Sequence, residues 1–272
     1  MVEILKAALF GIIEGITEWL PISSTGHMIL LNKILTLNVS DEFYSMFEVV
    51  IQLGAILAVV LLFFSRLNPF DGKKSEAEKK DTWTLWFKVI VAVIPSAVLG
   101  FLLDDWFDEH LYNHVVVAIA LIVYGVAFLF IEDKTKGKKK YRKVGDIDYK
   151  AALEIGLFQS LALIPGTSRS GSTILGAMLL GTSRTAAAEF SFFMAIPTMA
   201  GASLLKVVKY IIKGAAMTAS YWGILIVGCV VSFFVSLVVI RGLMDYVKKH
   251  TFAAFGLYRI VLGAIVLLSL LF

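Results

Sequence analysis

The chain has 272 residues, of which 58% are hydrophobic and only 17% are charged, and its mean hydropathy is +0.83. Soluble domains average roughly 45 to 50% apolar residues, so the composition excludes a soluble globular protein and indicates an integral membrane protein. The formal net charge of +4 is modest, and we attribute most basic residues to loops that set membrane topology. No nucleic-acid partner is expected.

The predicted elements begin with a short helical hairpin at 1–36, broken at a proline-serine segment, and continue with apolar stretches at 43–65, 83–103 and 115–131. A second hairpin is predicted at 150–182, followed by apolar stretches at 185–212, 221–240 and 252–272. Each stretch approaches the roughly 20 residues that cross a hydrocarbon core as a helix. Strands of a membrane barrel would be shorter and would alternate in polarity, so we predict an all-α polytopic membrane protein.

Self-similarity indicates that the chain is duplicated. Lys6-Ala7-Ala8-Leu9 recurs as Lys150-Ala151-Ala152-Leu153, and in the same alignment Pro21 pairs with Pro165 and Ser24 with Ser168. We therefore predict one membrane domain, 1–272, made of repeats 1–136 and 137–272. Each repeat has a re-entrant hairpin plus three transmembrane helices, and because three is odd, the repeats must have opposite orientations.

Loop charges predict the orientation of the first repeat. Loop 66–82 carries five Lys or Arg and loop 132–150 carries eight, whereas loop 104–114 carries none and is acidic. The positive-inside rule then places 104–114 outside the cell. In that topology hairpin 1–36 enters from the outside and hairpin 150–182 from the inside, so that their broken tips meet near the midplane, as in many transporters.

Two glutamates in the first helix are the first candidate site residues. Glu14 and Glu18 are four residues apart, which puts both carboxylates on one face of a helix. Charges at bilayer depth cost roughly 2.5 to 3.5 kcal/mol each, so charged residues at this depth indicate a functional site. The pair would share a proton or a divalent cation, Mg²⁺ or Ca²⁺. The alternative is that each carboxylate only hydrogen-bonds a neighbouring helix.

The segment after Pro21 offers hydroxyls and amides at a helix start, which is a common site for an anion. Its residues are Ser23, Ser24, Thr25 and Gly26, with His27 in the first turn. Ser24 beside an imidazole and a carboxylate could act as a nucleophile, and His27 could be nucleophile, general base or general acid. The alternatives are an ordinary helix cap and a structural histidine.

The second broken tip contains Gly166-Thr167-Ser168-Arg169-Ser170-Gly171-Ser172-Thr173. The spacing matches a nucleotide-binding loop, but serine replaces the required lysine, so we reject a nucleotide site. Small residues here let backbone amides approach an anion, hydroxyls can donate, and Arg169 can grip a phosphate with two donors. Alternatively, Arg169 pairs with Glu14 or Glu18 merely to neutralise a buried charge.

Taken together, the run from Glu14 to His27 and the run from Pro165 to Thr173 closely resemble the BacA-type undecaprenyl pyrophosphate phosphatases of bacteria. The resemblance covers nearly the whole chain. It places the family's glutamate motif on Glu14 and Glu18, its serine and histidine on Ser24 and His27, and its phosphate-gripping loop on Ser168, Arg169 and Thr173.

The resemblance implies a lipid pyrophosphate phosphatase that recycles the carrier of cell-wall precursors and confers bacitracin resistance. It also implies a divalent-metal requirement and a multi-pass protein of the bacterial inner membrane whose site opens to the periplasmic side. The alternative function is a polyprenyl-phosphate flippase or transporter. The partners expected are undecaprenyl pyrophosphate and membrane lipids, and the oligomeric state, homodimer included, is left open.

Within this expectation, residues of both tips bind the pyrophosphate. Arg169 holds the terminal phosphoryl together with the remaining binding residues, which are Ser23, Thr25, Gly166, Ser168, Ser170 and Thr173. The catalytic set is Glu14, Glu18, Ser24, His27 and Arg169, with the metal on the two glutamates. Whether Ser24, His27 or an activated water attacks stays open at the level of sequence.

Overall fold

The computed structural model describes residues 1–134, 137 and 139–270, and every regular element within them is a helix apart from one isolated bridge between Tyr141 and Thr182. Residue 136, where the first predicted repeat ends, and the last two residues of the predicted helix 252–272 lie outside the described part. The prediction of an all-α polytopic protein is confirmed.

The described residues form twelve α-helices, which we number in chain order. The first half contains α1 (Val2–Thr17), α2 (Ser24–Ile34), α3 (Asp41–Val50), α4 (Gln52–Leu62), the short α5 (Phe64–Leu67), α6 (Glu76–Leu111) and α7 (His114–Lys134). The second half contains α8 (Tyr149–Ser160), α9 (Arg169–Leu179), α10 (Arg184–Ile212), α11 (Ala219–Lys249) and α12 (Ala253–Leu268).

Five helical segments of the described chain are long and apolar enough to cross a membrane: Asp41–Leu62, Glu76–Leu103, His114–Ile131, Arg184–Ile212 and Ala219–Lys249. They coincide with five of the six predicted stretches. The sixth, predicted at 252–272, is a shorter apolar helix of 16 residues, α12.

The boundaries predicted from hydropathy agree well with those of the observed apolar segments. Hydropathy did not predict the polar residues that extend some helices beyond these segments. The predicted segment 83–103 lies inside α6, which runs from Glu76 to Leu111 and therefore includes most of the acidic stretch predicted as loop 104–114. A capping box starts α6 early, because the Ser75 and Glu78 side chains each bond the backbone N–H of the other. Such a helix start depends on caps rather than on apolar residues.

Both predicted hairpins consist of two helices joined by an irregular tip. At the first tip, which spans residues 18–23, Ser23 caps α2 and has φ 71°; at the second, Ser168 caps α9 with φ 72°. Non-glycine residues seldom adopt positive φ, at a cost of about 1 to 3 kcal/mol, so the surrounding structure must hold both serines in place. The structure thus puts Ser23, rather than the predicted Ser24, in the position equivalent to Ser168.

Each hairpin packs against a long helix of the other half. Helix α1 packs on α11 and α8 packs on α6, while α7 packs on α12. Close approach depends on glycine: a Cβ added to Gly11 would lie 2.6 Å from the Gly228 carbonyl oxygen, and one added to Gly156 would lie 2.0 Å from that of Ala92. The two tips contact each other, since the Ser170 hydroxyl bonds the Glu18 carbonyl oxygen at 3.0 Å. The opposite membrane orientation of the halves stays a prediction.

Candidate active site

A cavity of about 400 Å³ lies between the two tips and the helices α6 and α10. Both tips contribute to its polar wall, through Glu18, Ser24, Thr25, Gly166, Ser168 and Arg169, and four polar side chains of other helices line it as well: Gln52, Ser96, Gln159 and Thr198. Its flank is mainly apolar and includes Val93, Ala97, Phe101, Ala202 and Leu205. A small set of convergent polar groups beside an apolar wall is typical of a site for a small molecule, here one with a charged end and an apolar part.

The centre of the polar wall is an ion pair between the tips. Arg169 Nη2 lies 3.1 Å from Glu18 Oε1, and the two side chains are only 10% and 6% exposed. Arg169 Nη1 donates to the Ser191 carbonyl oxygen at 2.7 Å and to its hydroxyl at 3.2 Å, whereas Nε has no partner in the described structure. These contacts hold the guanidinium in place, and within the described residues they leave its Nε–H without an acceptor.

Glu18 uses its second oxygen for a different partner. Ser24 Oγ donates a hydrogen bond of 2.9 Å to Glu18 Oε2. One carboxylate thus orients a hydroxyl with one oxygen and a guanidinium with the other. The alternative that Arg169 only neutralises a buried charge explains the ion pair, but it does not explain the bonded serine or the cavity that all three residues line.

Glu14 lies one turn deeper in α1 and is 1% exposed, outside the cavity lining. Its Oε1 has no hydrogen-bond partner within the described residues, and Glu18, Glu48 and Arg169 are the charged groups around it. A buried acceptor without a donor is costly, so the site is incomplete on its own. A proton or a cation at Glu14 would complete it.

An oxygen-only pair of carboxylates suits Mg²⁺ or Ca²⁺, and Mg²⁺ is commonly held by one or two carboxylates plus substrate phosphates. No group of three or more His, Cys, Asp or Glu side chains that could hold a metal ion occurs in the described chain. The residues therefore fit a cation that takes its remaining ligands from a bound phosphate or water, rather than one enclosed by protein alone.

Three of the predicted binding residues support the tips from behind the cavity. Ser170 Oγ is shared between the carbonyl oxygens of Glu18 at 3.0 Å and Leu20 at 3.3 Å, which ties the second tip to the first. Thr173 Oγ1 bonds the Arg169 carbonyl oxygen at 2.9 Å and the Ser191 hydroxyl at 2.6 Å. Ser23 is fully buried and caps α2, so it too lies outside the cavity lining.

His27 also lies outside the cavity lining. Its Nδ1 is 2.7 Å from the Ser23 carbonyl oxygen and its Nε2 is 2.7 Å from the Tyr258 hydroxyl, with the two rings stacked. A carbonyl can only accept, so Nδ1 carries a proton, and in the neutral ring Nε2 accepts from Tyr258. The imidazole thus braces the start of α2 against α12, and the structure does not bring it to Ser24, Glu18 or Arg169.

Two residues that the sequence analysis missed contact the site. Ser191, in α10, bonds both Arg169 and Thr173 and carries no local sequence signal. Arg259 is fully buried in α12 and reaches the carbonyl oxygens of both tips. Arg259 is the only charged residue after Lys249. Like Arg169, it is an isolated cation in an apolar segment, and this signal in the sequence indicates a functional residue.

Comparison with known proteins identifies the family of this chain. The family model described as "Bacitracin resistance protein BacA" matches residues 7–265. The chain is 58% identical to an undecaprenyl-diphosphatase of Streptococcus thermophilus, covering 98% of this chain and 93% of the relative. It is 59% identical to undecaprenyl-diphosphatase 1 of Clostridioides difficile, covering 98% and 96%, and 56% identical to an undecaprenyl-diphosphatase of Enterococcus faecalis, covering 96% and 95%. The chain belongs to the BacA family of bacitracin resistance proteins.

Proposed function

We propose that the protein hydrolyses undecaprenyl pyrophosphate to undecaprenyl phosphate and inorganic phosphate. The observation that carries this proposal is the contact of Glu18 with both Ser24 and Arg169 at the polar end of a cavity with an apolar flank. These are the parts that phosphoryl transfer needs: an oriented hydroxyl, a base and a cation for the developing charge. The relatives' name, undecaprenyl-diphosphatase, supplies the identity of the lipid.

Substrate binding begins with the terminal phosphoryl at the start of α9. Arg169 and Ser168 line the cavity at the N-terminus of that helix, where backbone amides favour an anion. The phosphoryl also competes with Glu18 for the Nη2 donor. As Arg169 turns towards the phosphate, the Glu18 carboxylate becomes less strongly paired with it and keeps its hydrogen bond from Ser24 Oγ.

Ser24 then attacks the terminal phosphorus. Its Oγ forms the new P–O bond, its proton passes to Glu18 Oε2, and the bond from phosphorus to the bridging oxygen breaks. The bridging oxygen takes the electron pair and leaves as part of undecaprenyl phosphate. Arg169 stabilises the negative charge on the transferring oxygens, which accounts for most of the rate in this class of reaction.

A water completes the reaction. After Glu18 has lost its proton to the departing lipid phosphate or to solvent, it accepts a proton from water as that water attacks the phosphoserine. As the bond from phosphorus to Ser24 Oγ breaks, Oγ takes that proton from Glu18, which restores the serine, and inorganic phosphate is released. His27 has no proton-transfer role in this scheme, because both of its nitrogens are engaged with Ser23 and Tyr258.

The proposal includes a divalent cation held by Glu14 and Glu18 together with the substrate. When bound, the cation would neutralise charge on the pyrophosphate and so favour departure of the lipid phosphate. Glu14 Oε1 has no hydrogen-bond partner within the described residues, so it is available as a ligand. A carboxylate buried this deeply next to Glu18 is explained by such a cation. The chain's own contribution is to hold the two carboxylates four residues apart on one helix face.

We further propose that the site opens to the periplasmic side of the bacterial inner membrane. Phe101 and Leu205 on the cavity flank lie towards the ends of α6 and α10 that are joined by the Lys209–Asp105 contact of 2.7 Å. These ends adjoin the acidic stretch 104–114, which the positive-inside rule assigns to the outside. The apolar flank would admit the lipid chain from the outer leaflet.

Phosphate release from undecaprenyl pyrophosphate by the purified protein in detergent tests the proposal. Detergent removes the two compartments that a flippase needs and leaves hydrolysis intact. Release that depends on Ser24, Glu18 and Arg169 is expected. A folded protein that releases no phosphate in detergent, yet moves polyprenyl phosphate across a vesicle membrane, would contradict the phosphatase and support the transporter.

A further inference from the structure

Arg259 is a buried cation bonded to backbone rather than to a carboxylate. It is 0% exposed, and within the described residues all of its hydrogen bonds go to carbonyl oxygens. On the tips, the acceptors are Pro21 at 3.2 Å, Gly166 at 2.9 Å and Thr167 at 2.9 Å. Two weaker contacts, at 3.4 and 3.5 Å, reach α7. One guanidinium therefore bonds both tips and a helix that packs beside them.

The direction of these carbonyls determines where the following amides point. In a planar trans peptide the N–H lies opposite the C=O. Because the Thr167 carbonyl faces Arg259, the Ser168 amide faces away from it, and Ser168 is the residue that lines the cavity. The same contact holds Ser168 in its strained backbone conformation, φ 72°. Arg259 thereby helps to orient the backbone N–H of Ser168 towards the cavity in which the phosphate would bind.

Arg259 also fixes the distance between the tips. Pro21 comes three residues before Ser24, and Thr167 comes two residues before Arg169. One rigid guanidinium bonds both carbonyl oxygens. It therefore fixes the tip that carries the nucleophile relative to the tip that binds the anion. The Tyr124 ring lies against the guanidinium at 5.5 Å and limits its movement.

We propose that Arg259 is a positioning residue for phosphoryl transfer. It aligns Ser24 with the phosphate held by Arg169, and its positive charge lies behind the tips, where it favours an anion in front of them. This inference rests on the proposed function. It assigns Arg259 no contact with the substrate and no proton to transfer.

The test compares Arg259→Gln and Arg259→Lys with the wild type for turnover of undecaprenyl pyrophosphate in detergent. Misplacing reacting groups by about 1 Å can cost about 100-fold, so Arg259→Gln should lower kcat by about that factor. It should also raise the inhibition constant of inorganic phosphate, because the Ser168 N–H is no longer held in the orientation that binds the anion. Arg259→Lys, which retains the charge and some donors, should recover part of both effects.

Val266→Ala is the matched control. Val266 is fully buried in α12, seven residues after Arg259 and hence on the same helix face, and it packs against α7 without a part in the tips. It should lower the melting temperature through lost packing while kcat and phosphate inhibition stay within about twofold of wild type.

Each outcome decides the question. Wild-type turnover establishes the proposed function independently, and an inactive wild type would refute that function rather than the role of Arg259. With an active wild type, unchanged kcat in folded Arg259→Gln would overturn the inference. So would losses that match those of Val266→Ala at equal melting temperature. If Arg259→Lys fails to accumulate as a folded protein, the guanidinium is needed for folding and the positioning role is refuted.

Discussion

Ser24 Oγ donates to Glu18 Oε2 at 2.9 Å across the break between α1 and α2. The two residues are six apart in sequence, too far for neighbours on one regular helix, and they meet because the chain turns back at the first tip. The other oxygen of Glu18 holds Arg169 of the second tip. The same carboxylate is thus the junction between the nucleophile candidate and the anion-binding candidate.

The Glu18–Arg169 pair should affect stability and activity separately. Breaking a buried pair by removing one charge typically costs about 3 to 5 kcal/mol, so Glu18→Gln should unfold at clearly lower temperature and lose phosphate release. Adding Arg169→Met to Glu18→Gln removes the unpaired charge and should recover much of the melting temperature. It should not recover turnover. A double variant that hydrolyses at near the wild-type rate would show that the pair is only structural.

Arg169→Lys tests the guanidinium at constant charge. Lysine retains the cation but loses the fork that bonds Glu18, Ser191 and the substrate together, so kcat/KM should fall by about 100- to 1,000-fold. Arg66→Lys is the matched control, since Arg66 forms a 2.8 Å ion pair with Glu189 away from the cavity. Steady-state phosphate release from both variants checks this, and equal losses would assign Arg169 no special role.

Glu14→Gln should weaken the binding of the divalent cation. The amide keeps the shape of the side chain but removes the charge, so the Mg²⁺ concentration for half-maximal activity should rise by about tenfold or more. Glu189→Gln, in a paired glutamate elsewhere, should leave the metal titration unchanged. An unaltered titration curve in Glu14→Gln would place the cation at another site.

Gly166→Ala should disrupt the second tip. Gly166 has φ +90°, and a Cβ there would lie 2.5 Å from the Val117 carbonyl oxygen, so alanine is both strained and crowded. We expect a lower melting temperature and a loss of turnover.

Gly242→Ala, in α11 with no atom within 4 Å of the added carbon, should be neutral or stabilising. Thermal unfolding and activity of the two variants side by side make the comparison, and a fully active Gly166→Ala would contradict a rigid tip.

Much of the fold follows from local sequence. Long apolar runs marked five membrane helices, and the proline-serine segments marked both tips. The interruption of the first spanning segment at Ile51 and the extension of α6 to Leu111 were missed, because helix caps and tertiary packing decide them.

The site was predictable in its residue types but not in its geometry. Charges isolated in apolar sequence identified Glu18 and Arg169, and the same rule applied to the last helix would have identified Arg259. Which predicted residues face the cavity depends on contacts between distant segments. Tyr258 turns His27 away from it, and Ser191 holds Arg169 in it. Spacing along the chain carries no information about either contact.

The central claim is that Ser24 attacks the terminal phosphoryl group, and a rapid acid quench with substrate labelled on that group tests it most directly. The account predicts an acid-stable label on the peptide that contains Ser24, formed within the first turnover, with no label and no phosphate release in Ser24→Ala. Ser203→Ala, a buried serine of α10 bonded to the Val49 carbonyl oxygen, should label and turn over like the wild type. An acid-labile label on His27, or undiminished turnover in Ser24→Ala, would contradict the account.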